Sequence, residues 1–359
     1  MPHQVVLFFR FFLLAIALTL AGCAGQQPLK PIPPPVYPPP PGEARYIYEG
    51  TLRSSHDISE PSFSEKFQAA LTGGEIVTEG LAKPYSIAVR KNRLFISDTQ
   101  QRAIFMFDLE NRKTKLFGRE GPGSLLKPLG LDISKDDELY VVDITAKRIA
   151  VYDLDGNYIR GLGDKTLFVR PTGIAISPDG QKLYVSDTGG IDSDKHRILV
   201  LDAKTGELLH TIGKRGEDSA EFNLPLQLST DTEGNIYIVD SANFRVQGFN
   251  PQGKHIVSFG SAGRQPGQFS RPKGITTDLN GNILVVDTAF GNFQIFDPQG
   301  KLLLHVGERS TAGGPGLFML PAGIEVDENG RIYVIDQFFR KVDIFRPLEL
   351  APLKGIPTI

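Results

Sequence analysis

Six times along the chain an apolar run closes on an aspartate: "RLFISD" at Asp98, "ELYVVD" at Asp143, "KLYVSD" at Asp187, "NIYIVD" at Asp240, "NILVVD" at Asp287 and "RIYVID" at Asp336. Each is preceded, at a nearly fixed interval, by a proline that opens another short apolar run: Pro84, Pro128, Pro171, Pro225, Pro272 and Pro321. A polar turn after each aspartate leads into a third run, from "AIFMFD" in the first unit to "KVDIFR" in the last. Most units add a fourth that ends in Phe-Gly or a near equivalent, as in "HIVSFG". The runs are continuous Ile/Val/Leu/Tyr stretches. A sheet with one exposed face would alternate, so the pattern predicts short β-strands covered on both faces.

The turns fix how these strands connect. Asp179-Gly180, Asn280-Gly281 and Asn329-Gly330 separate first and second strands; Asp155-Gly156, Gln252-Gly253 and Gln299-Gly300 separate third and fourth. Glycine and asparagine accept the positive φ of tight hairpins, so each unit is an antiparallel meander. Four strands repeated at a period in the forties are the signature of a propeller blade, which two neighbouring blades sandwich. The expected fold is all-β: a six-bladed β-propeller of four-stranded blades.

The unit P-x-G-I-x-x-D, G-N-I-Y-V-x-D, R-V-Q-x-F-D resembles the NHL repeat, and the chain is similar to bacterial six-bladed NHL-propeller lipoproteins over nearly everything after its first segment. The resemblance implies the fold. It leaves function open, since such propellers serve enzymes, RNA binders and scaffolds. Members of this group are often associated with multihaem cytochrome systems, which the resemblance offers as a partner class.

The sixth unit reaches Pro347 without a fourth strand, and "ARYIYEGTL", Ala44 to Leu52, is left over at the other end. Tyr46–Leu52 is therefore expected to pair with the strand holding Val342 to Phe345 and close the ring, removing exposed edges. Between this strand and the first blade, "PSFSEKFQAALTGG" places Phe63, Phe67, Ala70 and Leu71 on one face of a short helix. That helix is expected over about 62–72, lying on strand ends. The propeller then spans 45–350, its blades starting near 80, followed by a tail over 351–359.

Residues 1–22 read as a signal peptide: Arg10, then an apolar run from Phe11 to Ala21. It ends Leu20-Ala21-Gly22-Cys23, which resembles the bacterial lipobox, so Cys23 is expected to carry the lipid and to begin the mature chain. Ala24, where an aspartate tends to retain lipoproteins in the inner membrane, points to the outer membrane facing the periplasm. Cys23 is the chain's one cysteine, which leaves no disulfide or thiolate metal site. Residues 23–44, with "PLKPIPPPVYPPPP", read as a proline-rich extended tether.

Candidate chemistry is sparse. The six aspartates recur once per blade, which assigns them to turns and to the basic residues that follow, Arg102, Arg148, Arg197, Arg245 and Lys341, with Asn292 breaking the pattern. His210, His255 and His305 fall in fourth strands, on the outer rim, and cannot share one metal. The irregular insertion "TGGIDSDKHR" offers Asp192, Asp194 and His196 as weak cation ligands. Gln227 stands where four blades have glycine. Lys83, Lys127, Arg170 and Arg271 directly precede blade-opening prolines and Lys273 follows one, so they are expected to form a basic rim around the channel. No catalytic set or cofactor is legible.

A net charge of −2 gives no sign of nucleic-acid binding, and the absence of tryptophan argues against a sugar platform. The sequence favours a monomeric ring, membrane-anchored and non-enzymatic, that binds an envelope protein. The alternative is a metal-dependent lyase or lactone hydrolase with its site at the channel mouth.

Overall fold

The computed structural model describes residues 33–60, 63–72, 79–353 and 355–356. Each blade opens with its proline as the first residue of the innermost strand, a position that needs no ladder donor. The innermost strands are Pro84–Arg90, Pro128–Ile133, Pro171–Ile176, Pro225–Thr230, Pro272–Thr277 and Pro321–Val326. Each lies beside the next, the sixth beside the first, so the ring is closed around an axis. In each blade the register slips just after the proline. The third position explains its glycine: a Cβ at Gly173 would stand 2.4 Å from the Leu226 carbonyl oxygen, and one at Gly274 would stand 2.3 Å from that of Ala322. Neighbouring inner strands touch backbone to backbone there, and a side chain would force them apart.

Outward from the axis each blade is an antiparallel meander, as in blade 4 with Ile236–Asp240, Arg245–Phe249 and His255–Phe259 following its inner strand. Apolar side chains from both sheet faces meet those of the adjoining blades, giving one buried cluster at each of the six blade interfaces. This is why the strands are apolar without alternation. In blades 2 to 5 the glycine that ends the fourth strand is covered by a phenylalanine of the following connector, and in blade 1 by Leu125; a Cβ on Gly213 would meet the Phe222 ring at 2.4 Å.

Blade 6 consists of Pro321–Val326, Ile332–Asp336, Lys341–Pro347 and, from the other end of the chain, Tyr46–Leu52. The closing strand pairs antiparallel with Lys341–Pro347, from Tyr46 opposite Pro347 to Leu52 opposite Val342, with a bulge at Glu49.

Three details depart from the sequence expectations. The proline-rich segment does not stand clear of the ring along its length: Val36–Tyr37 forms a fifth strand on Ile47 and Tyr46, and the Tyr37 ring packs edge-on against Phe345. Residues beyond 350 dock as well, since the Leu353 amide donates to Glu49 and Ile356 is buried. The helix forms at Phe63–Thr72, but Phe67 and Leu71 are exposed instead of covering strand ends. No helix among the described residues is long and apolar enough to cross a membrane. Residues 1–32, with the expected lipobox Leu20, Ala21, Gly22 and Cys23, lie outside the described residues.

Candidate functional site

The ring has two mouths. One is formed by the starts of the inner strands and the turns after the second strands; the other is formed by the hairpins at the far ends of both.

The six repeat aspartates sit at the first mouth, fully buried. Asp143 shows their role: it accepts the amides of Leu126 and Lys127 on one side and of Thr145 and Ala146 on the other. Asp98, Asp287 and Asp336 likewise clamp the connector to the turn. Asp187 and Asp240 hold their connectors in the same way but add ion pairs, to Arg197 at 3.1 Å and Arg245 at 2.8 Å. The other basic residues go elsewhere. Arg148 donates to the carbonyls of Pro122 and Ser124, Lys341 pairs with Asp343 at 2.5 Å, and Arg102 is exposed.

This arrangement determines the state of the basic residues before the prolines. Lys83, Lys127, Arg170 and Arg271 give their main-chain N–H groups to the aspartates, while their side chains remain exposed. Among the described residues none of the four lies within ion-pair distance of a carboxylate. Between blades 1 and 2, Lys83 and Lys127 border a groove of about 530 Å³ that Thr99, Gln100, Arg102 and Thr145 also line.

Lys273 is set apart from this rim. It turns toward the axis, its Nζ 3.0 Å from Gln337 Oε1 and 4.5 Å from the centroid of the Tyr85 ring. Burial, with Arg271 and Lys83 close by, pushes its ammonium down to about 8. Tyr85 of blade 1 and Gln227 of the opposite blade 4 lie near each other in the channel. Gln227 donates to the Thr172 carbonyl and Gln337 to that of Pro84. Side chains from blades 1, 4, 5 and 6 thus gather in the channel beneath the basic rim.

Below them lies a cavity of about 300 Å³ opening at the second mouth. Asp132 and Glu325 line it, at a strand position filled by Ala88, Ala175, Ser229 and Thr276 in the other blades. Asp132 accepts the Ile176 amide at 2.8 Å, and Glu325 the Thr276 hydroxyl at 2.9 Å. Burial raises Asp132 to about 6; burial and the Asp132 charge raise Glu325 to about 8. Both carboxyls are thus raised, Glu325 further than Asp132, an unlike pair of the kind that can divide proton acceptance and donation. Sequence reading passed over both residues, although their departure from the repeat was visible.

The insertion in blade 3 does not assemble a cation site. His196 is fully buried, its Nδ1 accepting the Leu224 amide and its Nε2 bonded to the Gly190 carbonyl, so neither ring nitrogen is available. Asp192 and Asp194 point to solvent. Among the described residues no three His, Cys, Asp or Glu side chains gather as a metal site.

A family model described as "6-bladed beta-propeller" matches residues 79–163, the first two blades. A probable peptidyl-alpha-hydroxyglycine alpha-amidating lyase of Caenorhabditis elegans is 32% identical over 151 residues, covering 39% of this chain and 41% of the relative. SUPPRESSOR OF QUENCHING 1, chloroplastic, of Arabidopsis thaliana is 27% identical over 220 residues, 49% of this chain and 20% of the relative. The chain spans less than half the length of either. Among solved structures, virginiamycin B lyase from Staphylococcus aureus superposes with a TM-score of 0.54 at 16% identity, covering 74% of this chain and 95% of that one. A gluconolactonase from Xanthomonas campestris superposes at 0.57 and 14%, covering 74% and 86%. At these identities the structures establish the shared propeller fold.

Proposed function

We propose that the chain is a non-enzymatic binding propeller of the bacterial envelope, held to the outer membrane through lipidated Cys23 and facing the periplasm, whose basic mouth engages an anionic partner. The observation that carries this reading is the basic rim itself. The six repeat aspartates are buried beneath it and engaged by main-chain amides, two of them also by Arg197 and Arg245, and Tyr85, Gln227, Lys273 and Gln337 gather in the channel it surrounds. Such a mouth is an exposed charged surface that suits gripping a partner. The test is retention of an anchor-free ring on isolated envelopes, which should be salt-sensitive and lost in Lys127→Glu/Arg271→Glu. Equal retention of native and reversed rings would end this reading.

A second reading, an enzyme, draws on the Asp132–Glu325 pair facing its own cavity and on the lyases and lactonase among the similar proteins. It places acid–base chemistry at the mouth opposite the rim. Loss in Glu325→Gln of a lyase or lactone-hydrolase turnover found in the native protein would favour it; turnover unchanged by that substitution would refute it.

A further inference from the structure

We propose that the anionic partner of the basic mouth is the headgroup layer of the membrane to which the chain is anchored, so that the ring lies with this mouth on the bilayer. The inference rests on the binding reading above and names its partner. Three independent features of the ring converge on it.

The first is the direction of the chain. The Tyr48 amide donates to the Pro35 carbonyl at 2.9 Å, and Val36 and Tyr37 face Ile47 and Tyr46. The first described residues therefore run antiparallel to the closing strand. That strand ends at Leu52, opposite Val342, and the same edge of the blade carries Lys341 opposite Asp336 and Asp336 opposite Pro321. This is the basic mouth, so the chain comes into blade 6 from that side. Only the stretch from Ala24 to Pro33 separates the expected anchor from the ring. Fully extended, those residues reach at most about 35 Å.

The second is charge. Arg119, Lys147, Lys165, Lys195, Lys214, Arg215, Arg264, Arg309 and Arg340 join the rim on loops of that side and outnumber its exposed acids, Glu120, Asp164, Asp192, Asp194, Glu217, Asp218 and Glu308. At the other mouth, the hairpins after the inner strands carry exposed Asp136, Asp179, Glu233 and Glu328 beside exposed Lys91 and Lys135, with Asp132 and Glu325 inside. An anionic surface therefore favours the first mouth over the second, and each basic residue close to such a surface contributes about 1 kcal/mol, roughly fivefold in binding.

The third is the placement of exposed apolar side chains. Leu126, Ile191 and Phe338 are 47%, 74% and 53% exposed, and all three stand on basic-mouth loops. The connector helix, whose Phe67 and Leu71 are exposed, joins the ring between Leu52 and Pro84 on that side. Cations interspersed with protruding apolar groups suit the headgroup boundary, where the charge meets phosphate and the apolar groups enter the acyl edge. A soluble phosphate-bearing ligand would use only the cations.

The test uses the ring from residue 33 onward, one compact unit from Pro34, with protein-free vesicles of phosphatidylglycerol or of phosphatidylcholine. The native ring should sediment with the anionic vesicles alone and release as salt is raised. Lys127→Glu/Arg271→Glu should weaken that partition at least tenfold, and Leu126→Ser/Phe338→Ser severalfold, with melting curves matched to native. Lys204→Glu/Lys254→Glu, at the opposite mouth, should change nothing. Failure of the native ring to bind phosphatidylglycerol vesicles, or binding that depends on Lys204 and Lys254, overturns the inference. If the ring ignores vesicles yet binds whole envelopes through Lys127 and Arg271, the lipid is refuted and the anionic-partner reading stands on a macromolecule. If charge reversal changes neither, both fall.

Discussion

Glu49 and Arg331 meet at 2.9 Å with side chains only 2% and 6% exposed, across a sequence separation of 282 residues. Glu49 is the bulged residue of the closing strand, and the bulge turns its carboxylate into the blade instead of along the edge. There it also receives the Leu353 amide, while Arg331 donates to the Ala351 carbonyl. The pair ties the first strand, the last blade and the C-terminal residues together.

Arg331→Met would strand the Glu49 carboxylate in this buried seam. The expected cost is about 3–5 kcal/mol, most of it recovered in Glu49→Leu/Arg331→Met, because an apolar pair has no charge to desolvate. Urea unfolding of the three proteins measures this. An unchanged midpoint for Arg331→Met would mean the seam is held by strand pairing alone.

The clamp aspartates should be costly to remove and indifferent to the basic mouth's ligand. Asp143→Ala leaves the amides of Leu126, Lys127, Thr145 and Ala146 without their acceptor, at a cost of roughly 3–5 kcal/mol. Asp143→Asn keeps one acceptor oxygen and should lose roughly half as much. A thermal melt of Asp143→Ala coinciding with native would refute the clamp.

Glu325 gives the fold a defined pH response. Its folded value, about 8, lies above the ordinary 4.5 because of burial and the Asp132 charge. The folded state therefore holds a proton that the unfolded chain releases, and this contribution, complete below pH 4.5, is lost as pH rises toward 8. Native protein should lose stability relative to Glu325→Gln over that window and level off above it. Asp132→Asn should move the window down. Denaturant midpoints across that pH range test both; a constant difference between native and Glu325→Gln would show that Glu325 titrates like an exposed carboxylate.

The ring could be read from the sequence because its determinants are local and repeated. Proline at the first inner-strand position and aspartate at the end of the second strand answer needs that every blade has, and glycine at the third one that four of the six share. The closing strand was legible as a missing fourth member. What could not be read depends on single contacts, between blades or within one insertion. Tyr85 meeting Gln227, Lys273 meeting Gln337, and His196 taken up by Gly190 and Leu224 have no repeat to announce them. The Val36–Tyr37 strand was hidden by its proline context, which favours an extended spacer until Phe345 supplies a surface. Asp132 and Glu325 were visible as departures from the repeat, but only the ring places both in one cavity.

The closing strand also sets a timetable. Thr51 bonds to Asp343, 292 residues further along, so a chain delivered amino end first holds Tyr46–Leu52 without its partner until nearly the last residues arrive. Five blades can collapse on neighbours already present, but the sixth cannot be finished early. Until then the strand is an open β-edge, and the seam it closes is the last part of the ring to be protected.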